Sequence, residues 1–456
     1  MEDVVKAGAK LSRDRHKLSL KEKMSYGYGE VASAFVWGMV TSYLLYFYTD
    51  VYGISASAAG TLFLVTRLWD AANDPIMGVI VDRTKTKHGK TRPYLLYLAI
   101  PLGIISVLTF ITPDFSDTGK LVYAYVTYLL LGMVYTAINL PYGALAPTMT
   151  RNSKEKVDLG SYRAMGLAIG TVIVSAATLP LVNFFGKGNE QVGFPITITL
   201  YSIIAAILFF LTFKNCKERY SEYVESKDRK KVSVSLKEMF KNLPWVLVAI
   251  TSFLKFLRLG AMNAVLIYYV TYVLGEPGMV PVYLTLLNGA TFAGGALAMP
   301  LLKKIGNKLG TQSAIAIGSI FFILLFFIQA DSPILFAVIF FLANMFVGVD
   351  NASVFVLLGD SIDYHEWKFG QRLEGLLYSA YSFSTKFGVA IGSVLVAYAL
   401  GFVNYDPTAI TGEVKNMISG LMFIAPIVFS VLQVITLAFY KLDKYHASIV
   451  EELNNK

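Results

Sequence analysis

Residues 67–93 read R-L-W-D-A-A-N-D-P-I-M-G-V-I-V-D-R-T-K-T-K-H-G-K-T-R-P. The first half lies within an apolar run that begins near Ser55, yet it carries Arg67, Asp70 and Asp74. The second half is a dense basic loop. At helical pitch, positions 67, 70 and 74 stand at i, i+3 and i+7, so the three charges share one face. A charge in hydrocarbon is costly, and acids are kept there mostly when they face a partner, an ion or water. The stretch therefore reads as a membrane helix with a functional face, followed by a loop on the basic side of a bilayer.

The rest of the chain fits that reading. Of 456 residues, 55% are hydrophobic, 14% aromatic and only 16% charged, whereas a soluble domain carries about 25% charged residues. Mean hydropathy is +0.55. The net charge of +9 does not point to nucleic acid, because the basic residues cluster in short loops between apolar segments, as membrane topology requires. Cys216 is the one cysteine, which excludes a disulfide framework or a cysteine-based metal site within one copy. The histidines, His16, His88, His365 and His446, are all expected in tails or loops, leaving no midplane proton relay or zinc site. The first 24 residues are polar and basic, so no cleavable signal peptide is expected and the first apolar segment acts as its own signal.

Apolar runs of spanning length, roughly 20 residues each, fall at about 25–49, 56–81, 94–113, 121–147, 160–185 and 194–213, then at 245–274, 281–302, 312–330, 333–359, 375–402 and 416–440. The expected fold is all-α and polytopic, with about twelve spans. Lys120, Lys187 and Lys415 are the basic residues in the odd-numbered gaps, while the tail before the first span and the gap after the second are rich in Lys and Arg. Both termini are thereby expected in the cytoplasm of a cell (inner) membrane. The polar stretch 214–243 divides the spans into six and six, which predicts a tail (1–24), a bundle (25–213), a linker (214–243), a second bundle (244–440) and a tail (441–456). Two equal sets of helices suggest structural repeats with a cavity between them. The loop L-K-K-I-G-N-K-L-G after the eighth span echoes V-D-R-T-K-T-K-H-G-K after the second.

Several polar groups sit inside the spans. Glu30, Ser33 and Trp37 are spaced i, i+3 and i+7, an acid, a hydroxyl and an aromatic ring of the kind that binds sugars; Glu30 could equally be solvated near the cytoplasmic end. Asp70 and Asp74 suit a small cation such as sodium, or one shared proton, with a structural pairing to Arg67 as the other reading. Pro75 and Gly78 loosen the backbone beside them. Tyr135, Thr136 and Asn139 form a polar stripe on the fourth span. Arg163, opening the fifth, reads by itself as an interfacial anchor. Lys255 and Arg258 lie near the bilayer middle and are expected to face the cavity, as is Lys386, beside Tyr381, Ser382 and Thr385. Asp350, Asn351, Asp360 and Asp363 mark the tenth span.

With about twelve spans, D-A-A-N-D-P-I-M-G in the second and G-Q-R-L-E-G-L-L-Y-S after the tenth, the chain resembles the glycoside-pentoside-hexuronide:cation symporters, the melibiose permease family of the major facilitator superfamily. S-Y-G-Y-G, Y-F-Y-T-D-V-Y-G, G-T-L-F-L-V and N-L-P-Y-G-A-L add to the likeness, which covers nearly the whole chain. The resemblance implies two six-helix bundles that alternate access around a sugar site, with proton or sodium as coupling ion and no cofactor. It implies cation coupling at Asp70, Asp74 and Thr136, with Asn139 where the permease has a third acid, and it places possible sodium at Asp70 and Asp74. It raises Arg163 and Lys386 to sugar contacts. The permease's first-helix aspartate falls at Ala34, which leaves Glu30 to take over, and its stacking tryptophan falls at Gly143, which leaves Trp37. Candidate substrate residues are then Glu30, Ser33, Trp37, Tyr135, Asn139, Arg163, Lys255, Arg258, Asn351, Ser382 and Lys386. Likeness to glucuronide carriers in N-L-P-Y-G and R-L-E-G-L-L-Y-S, together with Lys255 and Arg258, motivates an anionic hexuronide as substrate. The rival readings are a membrane-embedded enzyme, for which no catalytic constellation is present, and a sugar receptor without transport. Expected partners are a small sugar and the lipid bilayer, with no nucleic acid.

Overall fold

The computed structural model describes residues 17–84, 86–150, 152–220, 232–328, 333–371 and 373–454. The helices run α1 (Leu20–Tyr46), α2 (Ala56–Arg83), α3 (Arg92–Tyr97), α4 (Ala99–Thr109), α5 (Asp117–Met149), α6 (Ser153–Gly186) and α7 (Glu190–Asn215). After the short α8 (Val232–Lys241) come α9 (Leu243–Tyr268), α10 (Val280–Ile305), α11 (Asn307–Ile328), α12 (Pro333–Gly348), α13 (Asp350–Phe369), α14 (Glu374–Phe402), α15 (Gly412–Ala438) and α16 (His446–Asn454). Among the described residues ten helical stretches are long and apolar enough to cross a membrane. The charge-bearing α2 and the broken α3–α4 supply two more, and α12 with α13 forms one crossing, so the twelve expected spans are found.

The break at Leu98 precedes Pro101, whose ring collides with the carbonyl four residues back, at Tyr97. The second break, at Val349, leaves Asp350 in the first turn of α13, where the helix dipole favours a negative charge. Several expected boundaries move. The fifth span begins at Ser153, so Arg163 lies nearly three turns inside α6 rather than opening it. The tenth continues to Phe369 and takes His365 with it, fully buried and packed on Phe369. His365 is therefore no loop residue, and His446 starts α16 within 3.1 Å of Asp363.

The chain divides into two compact units, Met1–Val40 with Val65–Glu225, and Thr41–Leu64 with Ser226–Lys456. The division cuts through α1 and α2 because residues 41–64 bond within the second unit: Thr49 to Tyr268, Asp50 to Tyr272 and Tyr405, and Thr61 to Tyr398.

In the first unit, S-Y-G-Y-G has a packing role. A Cβ at Gly166 would lie 2.3 Å from the carbonyl oxygen of Gly27, and one at Gly170 would lie 2.6 Å from Ala34 Cβ. Small residues thus let α1 and α6 approach backbone to backbone, which brings Glu30 and Arg163 together.

The start of the linker is sewn to the basic loop after α2. Glu218 accepts backbone N–H bonds from Lys90, Thr91 and Arg92 at 2.8–2.9 Å and the Thr91 hydroxyl at 2.8 Å. Gly89, at φ +100°, makes this possible, since a Cβ there would meet the Glu218 carboxyl at 2.6 Å. Cys216, within the polar stretch 214–243, is buried beside α1, its Sγ 3.6 Å from Glu22 O, and burial pushes its thiol up to about 12. Burial alone would raise the Glu218 carboxyl too, but the N–H bonds from Lys90, Arg92 and Thr91 outweigh it and hold it below the ordinary carboxylate range. A depressed folded pKa stabilises above the unfolded pKa and is lost as pH falls through the folded one. Limited proteolysis of residues 84–92 is therefore expected to stay slow at neutral pH and to accelerate in acid below the ordinary carboxylate range. Glu218→Gln should already be fast at neutral pH.

Candidate functional site

Four helices of the first unit carry the polar residues singled out in the sequence. On α1 and α6, Arg163 Nε donates to Glu30 Oε2 at 2.6 Å, and its guanidinium lies 5.2 Å from the Tyr142 ring. Tyr142 in turn donates to the Tyr26 carbonyl at 2.6 Å. Gly143 leaves the Arg163 side untouched, since even a Cβ there would stand 3.6 Å from its Nη1. Glu30 is thus buried but paired, and Arg163 is an ion-pair partner rather than an interfacial anchor.

One turn along α1, Asn139 Nδ2 donates to Ser33 Oγ at 3.2 Å and to Tyr135 OH at 3.3 Å. The Tyr135 ring stacks on Trp37 at 4.5 Å and 19°. The structure therefore brings Ser33, Trp37, Tyr135 and Asn139 together as one surface. Asn139, expected also beside the α2 carboxylates, directs its Nδ2 donor to this surface.

The charges of residues 67–93 meet the same surface from α2. Arg67 lies 4.8 Å over the Trp37 ring, donates to Asp70 Oδ2 at 2.8 Å and donates to Tyr128 OH at 2.8 Å. A Cβ at Gly132 would come within 2.9 Å of Asp70 Oδ1, so that glycine makes the room for the carboxylate. One turn on, Thr136 donates to Asp74 Oδ1 at 3.0 Å. A guanidinium thus stands against Asp70 and a hydroxyl against Asp74. The Arg67 guanidinium links Asp70 to the aromatic stack through Trp37.

In the second unit the expectation that Lys255 and Arg258 face a cavity needs correction. Both are buried, 4% and 5% exposed, and turn towards Asp350, which is completely buried. Lys255 Nζ lies 3.0 Å from Asp350 Oδ1, and Arg258 Nη2 3.8 Å from Oδ2. Arg258 Nη1 donates to Ser430 Oγ at 2.8 Å and to Gln433 Oε1 at 2.9 Å, while Gln433 Nε2 donates to Asp350 Oδ2 at 3.0 Å. The cause is the cost of an unpaired charge in hydrocarbon. Among the acids noted in the second half, Asp350 is the one placed far from a helix-end loop, and that was the sequence signal for the pairing. Asn351 donates to Thr291 O at 3.1 Å, Ser382 accepts from Thr385 through its carbonyl, and Lys386 is exposed on α14.

Comparison with known proteins agrees with this architecture. The model of the family described as MFS/sugar transport protein matches residues 25–444. The chain is 38% identical to the putative glycoside/cation symporter YagG of Escherichia coli strain K12, over 93% of each chain. It is 34% identical to the isoprimeverose transporter of Lactiplantibacillus pentosus, covering 95% of this chain and 91% of that one. Among solved structures, the D-xylose-proton symporter superposes with a TM-score of 0.63 at 14% identity, over 91% of this chain and 96% of the other. That likeness concerns the fold. Full-length identity of this order, together with the family match, is decisive: the chain belongs to the MFS/sugar transport protein family.

Proposed function

We infer that the protein is a secondary active transporter that moves a neutral glycoside or pentoside together with a cation, by alternating access, through a cell membrane with both termini in the cytoplasm. Its relatives are named as a glycoside/cation symporter and an isoprimeverose transporter, and the sugar-type surface of Ser33, Trp37, Tyr135 and Asn139 fits that chemistry. Glu30 and Arg163 would hydrogen-bond substrate hydroxyls beside the aromatic stack. Asn351, Ser382 and Lys386 are the further substrate residues of this reading. Asp70 and Asp74, with Thr136, would hold the coupling ion.

The observation that carries the choice of a neutral sugar is charge pairing. Arg163 is taken by Glu30, Lys255 by Asp350, and Arg258 by Ser430, Gln433 and Asp350. At Arg163, Lys255 or Arg258 a hexuronide carboxylate would have to displace one of these partners, at the cost of leaving a buried acid unpaired. The surroundings of the α2 acids favour a proton over sodium. A proton needs a single carboxylate oxygen, whereas sodium needs a cage of several oxygens, and this chain has Asn139 where the permease has a third acid.

The test is uptake into proteoliposomes of a neutral xyloside and a glucuronide, each with and without sodium and across pH. Accumulation of the xyloside, driven by a pH gradient and collapsed by an uncoupler, is expected. Uptake of the glucuronide alone would reverse the substrate assignment, and strict sodium dependence would reverse that of the ion. Binding without flux would leave a receptor.

A further inference from the structure

The first and seventh spans end alike. Helix α1 passes into a five-residue π-helical segment, Phe47–Val51, and α9 into another, Tyr269–Val273. Backbone bonds repeat with the same spacing: Tyr52 N–H to Phe47 O and Ile54 N–H to Tyr48 O in one, Leu274 N–H to Tyr269 O and Glu276 N–H to Val270 O in the other. Each is closed by a glycine in the left-handed region, Gly53 at φ +79° and Gly275 at φ +75°. The sequences align as Y-F-Y-T-D-V-Y-G and Y-Y-V-T-Y-V-L-G, 222 positions apart. Single-turn π segments are rare and concentrate at functional places. Two at matching positions of two halves mark a structural repeat.

At the equivalent positions of this repeat stand Asp50 and Tyr272, and they hydrogen-bond each other, Tyr272 OH donating to Asp50 Oδ1. Tyr405, in the turn after α14, donates to the same oxygen at 2.8 Å. Thr49 donates to Oδ2 at 2.5 Å and stands 2.7 Å from Tyr268 OH. The rings of Tyr268 and Tyr405 meet edge to face with centroids 5.3 Å apart. Asp50 is thus a carboxylate held by hydroxyl donors from three segments, and among the described residues no lysine or arginine pairs with it. All of these contacts lie within the second compact unit.

We propose that this cluster is a latch: Asp50, gripped by Tyr272 and Tyr405, holds the end of the first span against the end of the seventh and must let go for that end to open during transport. Its parts suit the task. The donors are hydroxyls, whose bonds exchange readily with water, and an ionised acceptor strengthens each bond without the salt bridge that would make release slow. The repeat brings the acid and its main donor to the same depth, so one carboxylate closes both segments. The latch lies at the end of α1 away from the N-terminal tail, which is the outside in the topology proposed above. It does not depend on which sugar or ion is carried.

The single native cysteine makes the test clean. In a Cys216→Ser background, Ser42→Cys places a thiol at a buried position about two turns below the latch, on α1. Its rate of reaction with a membrane-impermeant maleimide reports opening. Asp50→Asn is expected to raise that rate about tenfold, since each bond to a charged group is worth roughly that factor in an equilibrium. Tyr272→Phe with Tyr405→Phe, which removes two hydroxyls and nothing else, is expected to do the same and decides the matter if Asp50→Asn fails to reach the membrane. Asp406→Asn, a neighbouring exposed acid, is the control and is expected to change nothing. An unchanged rate in both test variants, at normal abundance, would overturn the latch, as would an equal rise in the control. Reagent is applied to right-side-out and to inverted vesicles: a rise confined to inverted vesicles would reverse the topology and leave the latch standing.

Discussion

Asp350→Asn is expected to lower the stability of the protein by about 3–5 kcal/mol, the range for breaking a buried ion pair by removing one partner. The carboxylate is fully buried and touches Lys255, Arg258 and Gln433. Its loss leaves two buried cations facing neutral groups, and Gln433, whose two ends bridge Arg258 and Asp350, is left with a weaker acceptor on one side. Because α9, α13 and α15 meet at this network, the whole second unit should loosen. Thermal unfolding in detergent, followed through tryptophan fluorescence, would show the lowered midpoint. The distinguishing variant is Asp350→Asn with Lys255→Met, which removes the stranded ammonium and replaces it with an apolar side chain of similar length. It is expected to recover a large part of the lost stability. Were it no more stable than Asp350→Asn alone, the pairing of Lys255 with Asp350 would not be the source of the loss.

The same network shows what could be read from the chain and what could not. Twelve crossings were legible because roughly 20 apolar residues in a row have few alternatives to a membrane helix. So were the shared faces of Glu30, Ser33 and Trp37 and of Arg67, Asp70 and Asp74, since helical pitch alone sets them. Pairing across helices was not legible. Lys255 and Arg258 announce that they need a counter-charge, but whether that charge is a substrate or Asp350, about 90 residues away in the chain, depends on how α9 packs on α13. Asn139 is a related case: an amide can serve a cation, a sugar hydroxyl or a neighbouring helix, and helical pitch does not choose between them; its Nδ2 bonds go to Ser33 and Tyr135. The repeat that ends the first and seventh spans was present in the sequence all along. It is weak as a pattern, four matches in eight, and the π geometry that makes it meaningful has no simple periodic signature.

Asp74→Asn is expected to abolish accumulation of sugar against a gradient while leaving exchange of sugar across the membrane measurable. Asp74 accepts from Thr136 Oγ1 at 3.0 Å, and Asp70 accepts from Arg67 at 2.8 Å. An amide keeps the shape and a hydrogen bond with Thr136, but it can neither take up a proton nor balance a cation, so driving force and sugar movement come apart. By linkage, the cation can tighten sugar binding only as much as sugar tightens the cation. Sugar affinity in Asp74→Asn should therefore no longer respond to pH or sodium. Thr136→Ala then separates the two ions. With proton coupling, uptake by the variant stays independent of sodium. With sodium coupling the ion loses a ligand oxygen instead, and half-saturating sodium rises roughly tenfold or more. Concentrative uptake by Asp74→Asn at the wild-type level would place the coupling ion elsewhere than on α2.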